Sequence, residues 1–278
     1  MPITTMNGVR VYWEQHGDNG APLVLVHGSW GDHHNWDLVA PRLGRRYRVF
    51  TYDRRGHSQS ERLEAQGRIE EDVDDLAALV TEHRLAPVFV AGNSYGAAIT
   101  LKLAAKRPEL FAGAIVHEPP LIGMLDDESM LSAVRQRIGA VIATLKDGDL
   151  EAGARQFVET VALGPGMWDQ LSPEMRQTFV FNALTWLDEM NEPESVMSVD
   201  LLRLAEFRGP LLLTNGDQSP PFFGLILHKI AIAVTAVERH TFHGGGHVPH
   251  LTHADEYVSV VTDFIDRAAG VTGSSPSR

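Results

Sequence analysis

Val88-Phe89-Val90-Ala91-Gly92-Asn93-Ser94-Tyr95-Gly96 decides the fold of this chain. Four apolar residues in a row, with no polar alternation, mark a strand buried on both faces of a parallel sheet. The following stretch, Ala97-Ala98-Ile99-Thr100-Leu101-Lys102-Leu103-Ala104, reads as a helix. Between them lies G-x-S-x-G. A strand-to-helix turn this sharp leaves no room for side chains at its flanks, so glycine stands at both. Backbone strain in such a turn holds the serine hydroxyl out over the strand end. The context predicts a serine nucleophile at Ser94.

Working outward, the chain alternates apolar strands with helices. Asn7-Gly8 between Thr4-Thr5-Met6 and Val9-Arg10-Val11-Tyr12-Trp13 is a hairpin signal. Leu23-Val24-Leu25-Val26 and Tyr47-Arg48-Val49-Phe50-Thr51-Tyr52 are buried-strand patterns. A short helix is expected over residues 36–43. An amphipathic helix over 69–83 has apolar positions Ile69, Val73, Leu76, Leu79 and Val80. Further strands are expected at 112–116, 211–214 and 235–241, and a closing helix at 254–268. This alternation predicts a mostly parallel sheet covered on both faces. From Pro119 to Gly209 no buried strand is visible. Four helical stretches are expected there, at 130–145, 150–161, 173–186 and 193–207, punctuated by Pro165, Pro173 and Pro193. The expected organisation is a core of residues 1–118 and 210–269, a helical cap over 119–209 and a disordered tail over 270–278.

With 44% hydrophobic and 22% charged residues in 278, the chain is an ordinary globular one with ample core. Net charge is −12 and no basic run is present, which argues against a nucleic-acid partner. There is no cysteine, hence no disulfide framework, thiol nucleophile or thiolate metal site. No apolar run approaches membrane-spanning length. Met1-Pro2-Ile3-Thr4-Thr5 lacks a charged region followed by an apolar one, so no signal peptide is expected. A cytoplasmic chain without membrane partner or cofactor is the expectation.

Three more segments join the serine motif. The strand at Leu23 runs into His27-Gly28-Ser29-Trp30-Gly31. The strand at Tyr47 runs into Asp53-Arg54-Arg55-Gly56-His57-Ser58. Gly246-His247 comes just before the last helix. In order, spacing and context the chain resembles the α/β-hydrolase superfamily over residues 3–268, within it the lidded esterase, lactonase and carbon–carbon hydrolase branch. The resemblance implies an α/β-hydrolase fold: a mostly parallel twisted sheet, helices on both faces and an inserted helical cap. It implies that His247 is the base for Ser94, a task suited to imidazole with its ordinary pKa of about 6.5. It also implies an oxyanion hole from the backbone N–H groups of Tyr95 and Ser29, with Trp30 the near alternative to Ser29. His27 is expected to be a packing and hydrogen-bonding residue, and the Asp53–Ser58 segment a structural turn.

The acid that orients His247 is where the sequence departs from the pattern. Most relatives place it in Gly-x-x-Asp after the strand at Leu211, and some carry it after the preceding strand. Here Ser219 holds that position, in Gly216-Asp217-Gln218-Ser219-Pro220-Pro221. Asp217 comes two residues early, about 7 Å of extended chain. Glu118, at the end of the preceding strand, is the preferred acid, and Asp217 the alternative. His243 and His247 have a four-residue spacing, but three glycines between them argue against a helical metal site, so no metal is expected. Of the extra histidines of this region, His240, His243, His250 and His253, most are expected on loop or helix surfaces. Trp30, His33, His34 and Trp36 are expected around the substrate, with Trp36 equally readable as a core residue. From the cap, Trp168 and Trp186 are expected there, among Met124, Phe157, Met167, Phe179 and Phe181, some of which pack the cap on itself. The expected reaction is serine hydrolysis of a carboxylic ester or lactone with an apolar portion. The same parts serve a carbon–carbon bond hydrolase, and a non-catalytic ligand-binding protein is the competing class. Haloalkane dehalogenase and epoxide hydrolase chemistry need a carboxylate where Ser94 stands.

Overall fold

The computed structural model describes residues 2–270. Eight strands form one sheet in the order β1-β2-β4-β3-β5-β6-β7-β8. They are β1 (Ile3–Met6), β2 (Val9–His16), β3 (Pro22–Val26), β4 (Arg48–Tyr52), β5 (Val88–Asn93), β6 (Phe111–His117), β7 (Leu211–Gly216) and β8 (Val237–Phe242). β1 and β2 form the hairpin at Asn7-Gly8, where both residues have positive φ (47° and 81°), as a tight two-residue turn demands. β2 is also antiparallel to β4, and all later pairs are parallel.

Successive side chains of a strand point to opposite faces, and the two cores follow that period. Val24, Val26, Val88 and Val90 pack on one face with α2 (Ile69–Glu82), α3 (Tyr95–Lys106) and α9 (Phe222–Ala233). Leu23, Leu25, Phe89 and Ala91 pack on the other with α1 (Ala40–Leu43) and α11 (Ala254–Ala268). The strand order reverses at β3, which is flanked by β4 and β5. The loops after β3 and β5 therefore leave the sheet side by side, and ligand crevices of open α/β sheets form at such points.

The segment between β6 and β7 is helical and holds no strand among the described residues. It comprises α4 (Glu128–Lys146), α5 (Leu150–Phe157), α6 (Pro173–Glu189), α7 (Pro193–Val196) and α8 (Leu201–Leu204). α5 does not end as an α-helix. It runs on as a π-turn over Val158–Ala162, with the Leu163 and Gly164 N–H groups both donating to the Val158 carbonyl. Trp30, Val141, Phe157, Ala183 and Trp186 form a separate apolar cluster joining this insert to the core.

Several elements differ from the sequence reading. The expected helix over 36–43 is a 3-10 turn, His33–Trp36, followed by α1. Asp32 caps the first and Pro41 opens the second. The expected helix over 193–207 is split into α7 and α8, because Asp200 starts a new helix by accepting from the Leu202 and Arg203 N–H groups. α9 is absent from the expected elements: FFGLILHKIAIA is apolar on nearly all sides, which leaves no period to read. α10 (Pro249–Thr252) likewise precedes α11. Of the expected tail, all beyond Gly270 lies outside the described residues.

Candidate active site

Ser94 connects β5 to α3 at φ 55° and ψ −118°, a conformation that costs a non-glycine residue roughly 1–3 kcal/mol. Two contacts make the turn obligatory. A Cβ on Gly96 would lie 2.2 Å from the Val26 carbonyl oxygen, and one on Gly92 would lie 2.3 Å from that of Gly96. The Ser94 N–H donates to the His117 carbonyl (2.9 Å), which fixes the elbow to the end of β6.

The next residue along that strand end is Glu118, fully buried and also at positive φ (46°). Its carboxylate faces the loop after β8. The His247 Nδ1–H donates to Glu118 Oε2 at 2.6 Å, and the Gly216 N–H donates to Oε1 at 2.8 Å. Burial by itself would raise this carboxyl's pKa. The His247 hydrogen bond and the neighbouring imidazoles outweigh it and hold the group below its ordinary value. With Nδ1 committed to Glu118, Nε2 is the nitrogen His247 has left for chemistry. Asp217, the alternative acid, points away. It accepts from Gly244 N–H (2.8 Å) and pairs with exposed His243 (3.1 Å), shaping the turn.

The loop Gly244-Gly245-Gly246 is held by partners that sequence reasoning missed. Asn93 Nδ2 donates to the His247 carbonyl (2.9 Å), and His117 Nε2 donates to the Gly246 carbonyl (3.2 Å). Burial pushes His117 down to about 4, so it is neutral at physiological pH, with Nδ1 free to accept from Thr214 Oγ1 (2.9 Å). Phe223 stacks on the His247 ring at 5.1 Å. Asn93 sits inside the serine motif and His117 beside Glu118, so adjacency was the available signal. His250 departs from its expected surface place. It is buried against Trp36 (4.5 Å), without a hydrogen-bond partner at either nitrogen, and burial pushes it down to about 3.

Beside the site lies a buried charge cluster. Arg54 donates to Asp72 (3.1 Å), to Glu189 of α6 (2.8 Å) and to His57 Nε2 (3.1 Å), and its guanidinium lies 4.4 Å from the Tyr95 ring centre. Burial raises the Glu189 carboxyl to about 7 and Asp72 to about 6 against the pull of Arg54. One cation cannot fully compensate two buried carboxylates, and Glu189 Oε2 has no partner among the described residues. His27 and His57 are kept neutral by burial and Arg54. His27 Nε2 accepts from the Arg54 backbone N–H at 2.9 Å.

A cavity of about 440 Å³ opens above Ser94 and His247. Gly28, Ser29, Asn93 and Tyr95 line it from the sheet side. Ile138, Phe157, Met167, Met175, Phe179 and Trp186 are among its lining residues from the insert, and the π-turn contributes Thr160, Val161 and Ala162. Five expected substrate-contacting residues are elsewhere. His34 is exposed and pairs with Asp37 (2.9 Å), and Trp36 is fully buried against His250. The other three are buried too. Trp30 is fully buried behind Phe157 and Trp186, on which it packs at 4.9 and 5.1 Å. His33 is buried against Asp53, with Nδ1–Oδ1 at 2.6 Å, inside the core. Trp168 packs within the insert under Arg176. In each of these three a large side chain found a drier place than the cavity surface.

Among the described residues, two clusters hold residue types that could ligate a metal: His117-Glu118-His247 and Asp32-His33-Asp53. In the first, both imidazoles use N–H groups toward Glu118 or a carbonyl. In the second, Asp53 accepts from His33 and Gln59, and Asp32 from His34 and Ser58. Their hydrogen bonding fits paired side chains, not ligands aimed at a common ion.

A strained serine at a strand-to-helix elbow, a histidine on the loop after the last strand and a helical insert above them define an α/β hydrolase architecture. The sequence matches the alpha/beta hydrolase family over residues 23–260, and the chain belongs to that family. An uncharacterized hydrolase, YraK, of Bacillus subtilis (strain 168) is 37% identical over 128 residues, 45% of this chain and 47% of that protein. The chain thus spans about half the length of that relative. A pimeloyl-[acyl-carrier protein] methyl ester esterase of Yersinia enterocolitica is 23% identical over 273 residues, 93% of this chain and 98% of that one. The crystal structure of the enol-lactonase from Burkholderia xenovorans LB400 superposes with a TM-score of 0.77 at 19% identity, covering 95% and 99% of the two chains. At that identity the likeness concerns the fold. Among the described residues no helix is long and apolar enough to cross a membrane.

Proposed function

We propose that the chain is a serine hydrolase that cleaves a carboxylic ester or lactone with an apolar portion through an acyl-enzyme. The observation that carries this reading is the hydrogen bond between Glu118 and His247, in a cavity whose floor also holds the strained Ser94. Ser94 Oγ attacks the carbonyl carbon while His247 Nε2 takes its proton. Glu118 stabilises the imidazolium and fixes its tautomer. The N–H groups of Ser29 and Tyr95 receive the oxyanion. Tyr95 begins α3, where first-turn N–H groups have no intrahelical acceptor. His247 then protonates the leaving alkoxide, and water activated by the same ring releases the acid. The apolar wall supports an apolar acyl or alcohol part. An ester- or lactone-directed relative and neighbour fit this class, and a cytoplasmic chain acting alone on a small molecule, without cofactor, is the simplest setting.

The test is labelling and loss. An organophosphate should modify Ser94 stoichiometrically. Ser94→Ala should lower kcat by up to about 10⁶-fold with the fold intact, as removal of a nucleophile does in protease triads. Labelling elsewhere with Ser94 untouched, or retained turnover in the variant, would refute the reading and return the chain to a ligand-binding role.

A further inference from the structure

We infer that the cavity selects substrates whose apolar chain ends in a carboxylate, and that Arg137 receives it. This rests on the hydrolase reading and names its substrate class. Among the cavity-lining residues, Arg137 is the one with a permanent charge; the rest of the lining is apolar or neutral polar apart from His247. It projects from α4 in the insert, exposed, on the helix side where Val134 and Ile138 also line the cavity. Ser94 lines the same cavity from the end of β5.

Most other arginines of the insert are engaged. Arg155 and Arg203 pair with carboxylates, Arg176 donates to the Leu171 and Asp169 carbonyls, and Arg135 pairs with Glu128. Arg137 has no such partner among the described contacts. The positions that could supply one along the helix are Ala133, Val134, Ala140 and Val141, none of them acidic. A net charge of −12 repels anions at a distance, so a lone guanidinium acts only at contact, within a Debye length of about 8 Å at physiological salt. Guanidinium matches a planar carboxylate with two parallel hydrogen bonds. One arginine neutralises one monoanion, whereas a dianionic phosphate would keep an uncompensated charge beside apolar walls. The reaction would consume one water, break the acyl C–O bond, and release an alcohol and a dicarboxylic acid (from a lactone, one hydroxy-diacid).

The experiment compares monophenyl esters of straight-chain dicarboxylic acids with phenyl esters of monocarboxylic acids of equal carbon number. The expected result is that Arg137→Gln lowers the anionic-to-neutral ratio of kcat/KM about fivefold, the scale of a solvent-screened ion pair, and that Arg137→Glu lowers it further. The preference should peak at one chain length and shrink at high salt. Calorimetry of a straight-chain dicarboxylate on Ser94→Ala chain, with and without Arg137→Gln, reads the subsite without turnover, and a similar loss of affinity is expected. If wild type turns over neither ester but the affinity difference stands, the hydrolase reading falls and the carboxylate subsite remains. If turnover is intact while ratio and affinity both ignore Arg137, with melting temperature unchanged, the subsite is overturned and the hydrolase reading remains.

Discussion

The floor and the roof of the cavity are built on opposite principles. The floor is fixed by directional bonds. Ser94 is clamped between glycines, His247 is tied to Glu118 through its ring and to Asn93 through its carbonyl, and Gly246 is tied to His117. The roof facing it is mostly side chains without directional partners, among them Met167, Met175, Met190 and Met197, and it includes a π-turn. Methionine is unbranched and polarisable, and repacks easily around different shapes. Reaction geometry tolerates errors of a fraction of an ångström, whereas apolar recognition tolerates much more. The helix that joins the two has both characters. Residues of α6 line the cavity, while Asn182 donates to the Trp30 and Gly31 carbonyls, Thr185 to that of Gly56, and Glu189 accepts from Arg54.

The sharpest way to break this contrast is to loosen the floor. Glu118→Gln keeps the shape but removes the charge that orients and stabilises the His247 ring. On the proposed mechanism kcat should fall by about 10³–10⁴-fold, the scale of the handicap when a protease triad loses its carboxylate. Asp217→Asn should change it far less, because Asp217 only shapes the turn at Gly244. Steady-state kinetics of the two variants decide between them. Equal losses would mean that the floor is not the rigid half.

Breaking the join should cost stability before chemistry. Arg54→Met leaves the buried Glu189 without its cation and Asp72 with only the more distant Arg55, and should destabilise the fold by about 3–5 kcal/mol in denaturant unfolding. A loss below about 1 kcal/mol would mean that the cluster does not hold α6 to the core.

The two buried acids also make opposite predictions with pH. Glu118 has a lowered pKa, so its contribution is complete above its unfolded value near 4.5 and is lost as pH falls through the folded one. Glu189 is raised to about 7 from an ordinary 4.5. Between those values the folded state binds more protons than the unfolded, so stability should decline as pH rises through that window, by about 3 kcal/mol at most. Melting temperatures from pH 5 to 8 should show this slope in wild type and a flatter one in Glu189→Gln. An identical slope in both would remove Glu189 as its source.

The smallest effect belongs to the roof. Met175→Ala removes apolar contact made alike in ground and transition states. It should raise KM for a long-chain ester severalfold, roughly 1 kcal/mol of lost burial, with kcat held within about twofold. A kcat loss as large as that of Glu118→Gln would show that the roof is as exacting as the floor.

Much of the floor was legible because its chemistry is local in sequence. Gly92-Asn93-Ser94-Tyr95-Gly96 contains the proposed nucleophile, its strain and, in Asn93, one of the bonds that fix His247. Glu118 was readable as a carboxylate at a buried strand end, which needs a partner. The roof was read less well. Trp30, His33 and Trp168 were expected around the substrate because large aromatic and imidazole rings often line pockets, yet all three are buried behind or away from the cavity. Nothing in single-residue character separates a ring that faces a cavity from one that backs it. The splitting of the helix expected over 193–207, the π-turn after α5 and the unexpected α9 have the same origin, since periodicity is blind where a segment is apolar all round or changes its turn geometry.

The sequence by itself determined the order of the strands and of most helices, the elbow, the position of the helical insert and the presence of a serine, not a carboxylate, at the proposed nucleophile position. These depend on runs and spacings within a few residues of one another, where the backbone leaves few alternatives. Only the tertiary structure decided which acid meets His247, which histidines are neutral and buried, and which aromatic rings face the cavity. Those outcomes depend on contacts across some hundred residues of chain. Glu118 lies 129 positions from His247 and Arg54 lies 135 from Glu189, and such pairs exist only once the sheet has brought their loops to the same end.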